Sequence, residues 1–270
     1  MENALTLPEG EAGDNSICSS RKGDDPSALS PSGVACVEGE FDETQALLKL
    51  HSWLSPSFPI GAYSYSHGLE WAVEARTVHD RATLVDWLDA DLRFGAGRND
   101  GIFFREAWRR VQLPGVTSLV ELAELAAAYR GTSEFALEAS QQGSACLATI
   151  RRAWPHESLE ALASALAAAG IPLTLAISLG SACGAHGIQI QLALPLYLQS
   201  YAANLVTAAL RLIPLGQTDG QLALAALEAS VAATSTDVFN ATLSDLGSAA
   251  FMIDLASMAH ETQYTRLFRS

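Results

Sequence analysis

Residues 55–70 read Ser-Pro-Ser-Phe-Pro-Ile-Gly-Ala-Tyr-Ser-Tyr-Ser-His-Gly-Leu-Glu, a proline-rich stretch near the start of the helical part of the chain. Pro56 and Pro59 each lack a backbone donor and push the preceding residue towards extended geometry, so no helix forms there. Large apolar side chains nevertheless alternate with small residues through the stretch: Phe58, Ile60, Tyr63 and Tyr65. The pattern predicts a rigid apolar loop, followed by a helix that Ser64 or Ser66 caps.

A loop with this much apolar surface must pack against something, and the sequence leaves two interpretations open. In the first, the loop is a rigid connector buried between two helices. In the second, Phe58, Pro59 and Tyr63 form an anchor that faces a partner protein. The two prolines are compatible with both interpretations, because a stiff backbone suits a buried connector and also lowers the ordering cost of binding a partner.

From Thr44 onward, apolar residues recur with helical spacing, and no stretch alternates β-branched residues in the manner of a strand. The predicted fold class is all-α, a single-domain bundle of about ten helices that covers residues 44–270. The glycines and the Asn-Asp-Gly sequence within residues 93–101 predict a break between helices. Pro195 is expected to start the longest helix, and residues 243–264 to form the last one.

Residues 1–43 differ in composition from everything after them. They contain ten acidic and two basic residues, a net charge of 2 − 10 = −8, together with three prolines and many Ser and Gly. A segment with so few large apolar groups does not offset its ordering entropy. We therefore predict a disordered acidic tail, either solvated without a specific role or attractive to a cation or basic partner.

Bulk composition restricts the class of protein further. The 270 residues carry 16 cationic and 30 acidic side chains, a formal net charge of −14, so binding to nucleic-acid phosphates is not expected. Four scattered cysteines without a Cys-x-x-Cys pair, and the lack of a secretory signal, indicate a cytoplasmic protein. Residues 159–183 approach the length of a membrane span, but Gly170-Ile171-Pro172 divides them, so no membrane segment is expected.

Motifs for catalysis and nucleotide binding do not occur in the sequence. Neither lysine, Lys22 or Lys49, follows a glycine, which excludes a Gly-x-x-x-x-Gly-Lys phosphate loop. Gly-x-Ser-x-Gly and His-Glu-x-x-His are also absent. Ser66 and His67 are neighbours in sequence and do not face each other on a helix, which disfavours a nucleophile there. We expect no tightly bound cofactor.

Three residues are candidate metal ligands: Cys183, His186 and His260. Cys183 and His186 share a helix face, and a thiolate with an imidazole suits a soft divalent ion. Two ligands do not close a site, however, and a buried contact between small residues explains the pair equally simply. His260 lies near Asp254 and Glu261, which together are either transient ligands or a solvated helix face.

The end of the chain carries a second candidate for partner binding. No Lys or Arg occurs between Arg211 and Arg266, and then aromatic and Arg residues cluster. The residues of the cluster are Tyr264, Arg266, Phe268 and Arg269. Tyr and Arg dominate the hot spots of protein interfaces. The segment is therefore either ordered by a partner or docked on its own core, and the sequence does not choose between the two.

Three stretches of the chain together resemble the UreF family of urease accessory proteins. They are residues 55–70, residues 201–220 (Tyr-Ala-Ala-Asn-Leu-Val-Thr-Ala-Ala-Leu-Arg-Leu-Ile-Pro-Leu-Gly-Gln-Thr-Asp-Gly) and residues 258–270 (Met-Ala-His-Glu-Thr-Gln-Tyr-Thr-Arg-Leu-Phe-Arg-Ser). The resemblance covers the chain from about residue 44 to its end. The acidic tail lies outside the family pattern.

The resemblance implies a function that the residues alone do not give. UreF-like proteins are non-catalytic helical scaffolds that form homodimers, bind UreD (also called UreH) and recruit the GTPase UreG. That assembly delivers nickel to apo-urease, so nickel and GTP are handled by the partner proteins. The alternative is an all-α hydrolase or lyase that uses Cys183 and His186, or the region of His67.

Overall fold

The computed structural model describes residues 38–270, with side chains from residue 43 onward. These residues form eleven α-helices and two 3-10 turns without any strand, which confirms the all-α prediction. The predicted acidic tail lies outside the described residues except at its end, where the first helix begins at Glu38. In order, the helices are α1 (Glu38–Trp53), α2 (Leu69–Glu74), α3 (Arg81–Phe94), α4 (Ala96–Arg110), α5 (Thr117–Ala128), α6 (Ser133–Ala153), α7 (Glu157–Ala169), α8 (Leu175–Ala185), α9 (Ile190–Ala209), α10 (Gln217–Asn240) and α11 (Phe251–His260); the 3-10 turns are Ala62–Ser64 and Leu243–Asp245.

Helix α8 lies at the centre of the bundle and packs against α4 and α6. Every residue from Ala176 to Gly184 is buried, as expected for a helix that is apolar on all sides. The contact with α4 depends on Gly180, where an added Cβ would lie 2.3 Å from the carbonyl oxygen of Phe104. The small residues of α8 therefore let the helix backbones approach closely.

One apolar core extends from Leu50 in α1 to Ala241, just after α10. Helix α11 packs beside this core, against α2 and α6. By length and composition alone, α10 could cross a membrane. In the fold it packs against α3, α4 and α9, with Ala223, Leu227 and Val238 buried.

The predicted break between helices within residues 93–101 is present, but it is limited to Gly95, which separates α3 from α4, and its predicted length is wrong. The polar residues that suggested a turn instead make contacts within and between helices. Asp91 Oδ1 accepts the backbone N–H of Ala96 at 2.9 Å and so supports the start of α4. Asn99 Oδ1 accepts the N–H of Gly247 at 3.1 Å, from a segment 148 residues away.

Two further helix boundaries differ from expectation. Helix α9 begins at Ile190 and continues through Pro195, because buried residues on both sides of the proline hold it helical. The longest helix is α10, with 24 residues against 20 in α9. The predicted last helix is reduced to α11, because residues 243–245 form a 3-10 turn, residues 246–250 are not helical and Ala249 donates its N–H to Phe94 O at 2.8 Å.

Candidate protein–protein interface

The proline-rich loop, residues 55–66, combines features of both interpretations. The Phe58 side chain is 8% exposed and belongs to the apolar core. Pro59 is exposed, and Tyr63 is 77% exposed. Within the loop, the N–H of Phe58 donates to Ser55 O at 2.9 Å. The loop is thus fixed from inside by Phe58 and presents Tyr63 outward.

The loop leads into α2 through Gly68, which has a left-handed backbone with φ of 74°. An added Cβ at Gly68 would lie 2.9 Å from the backbone nitrogen of Ser257 in α11. Glycine is therefore required both for the turn and for the close approach of α11. Of the two predicted caps, Ser66 contributes, because its Oγ accepts the N–H of Glu70 at 3.3 Å.

The C-terminal segment, residues 264–270, is docked against this loop. The N–H of Ser66 donates to Ser270 O at 2.8 Å, and the N–H of Arg269 donates to Ser64 O at 2.8 Å. The Phe268 side chain is only 3% exposed. Of the two interpretations that the sequence left open, the structure has the segment docked on its own fold.

The carboxylate of Glu70 lies beneath the C-terminal segment and is 7% exposed as a residue. Its Oε1 accepts the backbone N–H of Leu267 at 2.7 Å, and its Oε2 accepts that of Phe268 at 2.9 Å. His260 Nε2 lies 3.1 Å from the same Oε2. One buried side chain therefore binds two successive backbone donors of the segment and a histidine of α11.

A second buried glutamate, Glu134 at the start of α6, holds the other side of His260. His260 Nδ1 lies 2.7 Å from Glu134 Oε2, and Arg266 Nη1 donates to Glu134 Oε1 at 2.8 Å. The prediction of a solvated face at His260 is wrong, since the residue is fully buried. Both ring nitrogens are occupied by carboxylates, so neither is free to bind a metal.

Arg211, just after α9, joins the loop to the C-terminal segment. Its Nη1 donates to Tyr63 O at 2.7 Å, and its guanidinium carbon lies 4.3 Å from the centre of the Phe268 ring. Arg269 reaches the same area, where its Nη1 donates to Gln141 Oε1 at 3.2 Å. Stretches that are far apart in sequence, residues 55–70, 201–220 and 258–270, thus meet at one place.

The surface formed there by the loop, Arg211 and the C-terminal segment is called the composite surface below. Tyr264 is fully exposed and Leu267 is 56% exposed. Helix α11 adds a face of exposed large apolar side chains: Phe251, Met252, Leu255 and Met258, between 49% and 67% exposed. This apolar face was not predicted from the sequence, although the helical spacing of its apolar residues along α11 indicates it.

His67 lies behind the loop, at a cavity of about 60 Å³. Its ring stacks on Phe135 at 4.0 Å between centroids, and its Nδ1 lies 3.2 Å from Glu138 Oε2. Burial lowers the pKa of His67, but the charge of Glu138 and the hydrogen bond to it outweigh burial and leave that pKa raised. Ser66 Oγ donates to Ser270 O, so it is not activated by His67.

The surroundings of Cys183 and His186 disfavour metal binding. Cys183 is 1% exposed, and burial strongly raises the pKa of its thiol. Burial also lowers the pKa of His186, whose Nε2 donates to Trp154 O at 3.2 Å. In the part of the chain that the structure describes, no three His, Cys, Asp or Glu side chains are placed to hold a metal ion.

These features are those of an all-α binding protein. Its three distinctive sequence stretches meet at a surface and not around a reactive group. The comparison with known proteins gives the family. The UreF family profile matches residues 78–228. The chain belongs to the UreF family.

Relatives of similar length support this assignment, and each is named urease accessory protein UreF. The protein of Bradyrhizobium diazoefficiens is 49% identical over 228 residues, which cover 84% of this chain and 93% of that protein. The protein of Rhodopseudomonas palustris strain BisB5 is 46% identical over 240 residues, covering 89% and 98%. That of Xanthobacter autotrophicus is 44% identical over 237 residues, covering 88% and 96%. The family consists of accessory proteins, so the chain is not an enzyme, and the alternative of a hydrolase or lyase is wrong.

Proposed function

We propose that this protein is a scaffold for urease maturation. It binds UreD (UreH) and, as a homodimer, recruits the GTPase UreG so that nickel is inserted into apo-urease. Support comes from the family, whose members are named urease accessory proteins, and from the identity of 44–49% to them over most of the chain. The protein itself acts by binding and positioning its partners.

The observation that carries the proposal is the convergence at the composite surface. Three separate stretches, including the proline-rich loop and the C-terminal segment, meet through Arg211 and expose Tyr63, Tyr264 and Leu267. Tyr and Arg are the residue types enriched at interface hot spots, and Leu267 adds apolar contact area. We assign UreD to this surface.

The apolar face of α11 extends the same argument. Large apolar side chains on a protein surface mark sites of protein interaction when several occur together. Phe251, Leu255 and Met258 follow the spacing of one helix face and are each about half exposed or more. We assign this face to the assembly as well, beside the C-terminal segment that follows α11 in sequence.

The nickel and nucleotide chemistry belongs in this proposal to the partners. The sequence has no phosphate loop, and nickel is cargo that passes between proteins of the assembly. The location is the cytoplasm, consistent with scattered cysteines of which Cys146 and Cys183 are free and buried. With a net charge of −14, nucleic acid is not a partner, and no membrane is involved.

The test is a pull-down of UreG and apo-urease by the purified chain, with and without co-expressed UreD. Both proteins are expected to be retained with UreD present and lost when UreD is omitted. A Tyr264→Ala/Leu267→Ala variant should lose UreD, while Leu125→Ala, an exposed apolar residue on α5, serves as the matched control. Retention of UreD by the double variant at wild-type level would remove the composite surface from the proposal.

A further inference from the structure

We infer that Glu70 is a positioning residue for partner capture, holding the C-terminal segment in the one conformation in which Tyr264 and Leu267 face outward. The inference rests on the function proposed above and concerns the same surface. Glu70 touches no partner itself, since it is 7% exposed and lies beneath the segment. It acts through the backbone that it binds.

The geometry at Glu70 is specific to a carboxylate. Its two oxygens accept the successive N–H groups of Leu267 and Phe268 at 2.7 and 2.9 Å. Hydrogen bonds to an ionised acceptor are stronger than those between neutral groups, and burial strengthens them further. A glutamine of the same shape would turn an N–H₂ group towards one of these donors and lose that bond.

A second layer holds Glu70 in place. His260 bridges Glu70 and Glu134, with its two ring nitrogens 3.1 and 2.7 Å from their oxygens. Arg266 adds a positive charge beside Glu134, with its Nη1 2.8 Å from Glu134 Oε1. Glu70 is thereby linked through His260 to Glu134 and Arg266.

A fixed segment matters because chain ends fray unless the fold holds them. Ordering a frayed segment at the moment of binding weakens the affinity for the partner, and a segment that is already ordered avoids this loss. Glu70 lies 197 residues before Leu267 in sequence, so it ties α2 and the proline-rich loop to the segment. We therefore expect partner affinity to depend on a side chain that the partner never contacts.

The experiment compares Glu70→Gln with the wild type and with Glu74→Gln, an exposed glutamate on the same helix that contacts only the side chain of Gln263 in the pairs described. Hydrogen exchange is followed in peptides covering residues 261–270, and affinity is measured for purified UreD. In Glu70→Gln, exchange at Leu267 and Phe268 is expected to accelerate at least about tenfold. Affinity for UreD is expected to fall at least about tenfold, with Glu74→Gln unchanged.

The outcomes separate this inference from the proposed function. If Glu70→Gln frees the segment but binds UreD like the wild type, Glu70 is not a positioning residue for partner capture. The composite surface remains the proposed UreD site in that case, provided that Tyr264→Ala/Leu267→Ala loses UreD. If the double variant also binds normally, the proposed surface itself is wrong. If hydrogen exchange in residues 261–270 is unchanged in Glu70→Gln, Glu70 does not hold the segment. Should Glu70→Gln not fold, Glu70→Asp, which keeps the charge but is one methylene shorter, takes its place in the same measurements.

Discussion

Substituting Phe268 tests whether the C-terminal segment is part of the fold. Phe268 is 3% exposed and its ring lies under the Arg211 guanidinium at 4.3 Å, whereas the neighbouring Leu267 is 56% exposed. Truncating a buried phenylalanine to alanine commonly lowers the free energy of unfolding by about 3–5 kcal/mol. We expect a loss of about 3 kcal/mol here, because a terminal segment can detach without unfolding the rest of the domain. In a domain of this size, that loss lowers Tm by roughly 6–12 °C.

The assay is urea unfolding of Phe268→Ala, followed by circular dichroism, with Leu267→Ala as the control. Leu267→Ala changes an exposed side chain one residue away and should alter the free energy of unfolding by no more than about 0.5 kcal/mol. A loss of less than about 1 kcal/mol in Phe268→Ala would contradict the docking of the C-terminal segment on the fold. It would mean that the segment is free in solution and is ordered only by a partner.

Gly68→Ala combines a strained φ of 74° with a contact of 2.9 Å to Ser257 N, so its Tm should fall and exchange in α11 should rise. The pKa of His67 is raised in the fold, so protonation of His67 stabilises the fold fully below about pH 6.5. This stabilisation is lost as the pH rises through the folded-state pKa. His67→Gln should remove that part of the pH dependence of urea unfolding. Calorimetry of the purified chain should show no sub-micromolar site for nickel or GTP, whereas a stoichiometric nickel site would contradict the assignment of metal handling to the partners.

Local signals in the sequence predicted those parts of the fold that depend on neighbouring residues. Helical spacing of apolar residues gave the all-α class, and Pro56 with Pro59 indicated the non-helical loop before α2. The central position of α8 is consistent with its apolar composition on all sides. In each case, the residues that determine the structure lie within one or two helical turns of each other.

The errors arose where a residue is satisfied by a distant one. The polar residues near Asn99 suggested a turn, but Asn99 binds Gly247 and Asp100 pairs with Arg130, so the helix continues. Burial overrode the usual preference of Pro195 for a helix start. The docking of the C-terminal segment depends on Glu70, almost two hundred residues earlier, and no local pattern reveals that pairing.

The nickel content of urease shows whether this chain acts in urease maturation. Urease would be purified from cells that lack this chain, from cells complemented with it, and from cells complemented with the Tyr264→Ala/Leu267→Ala variant, and nickel per active site would be measured with urease activity. We expect nickel-poor, inactive urease without the chain, full recovery with the wild type, and no recovery with the variant despite normal levels of folded protein. Fully loaded urease in cells that lack the chain would show that the chain has no role in urease maturation.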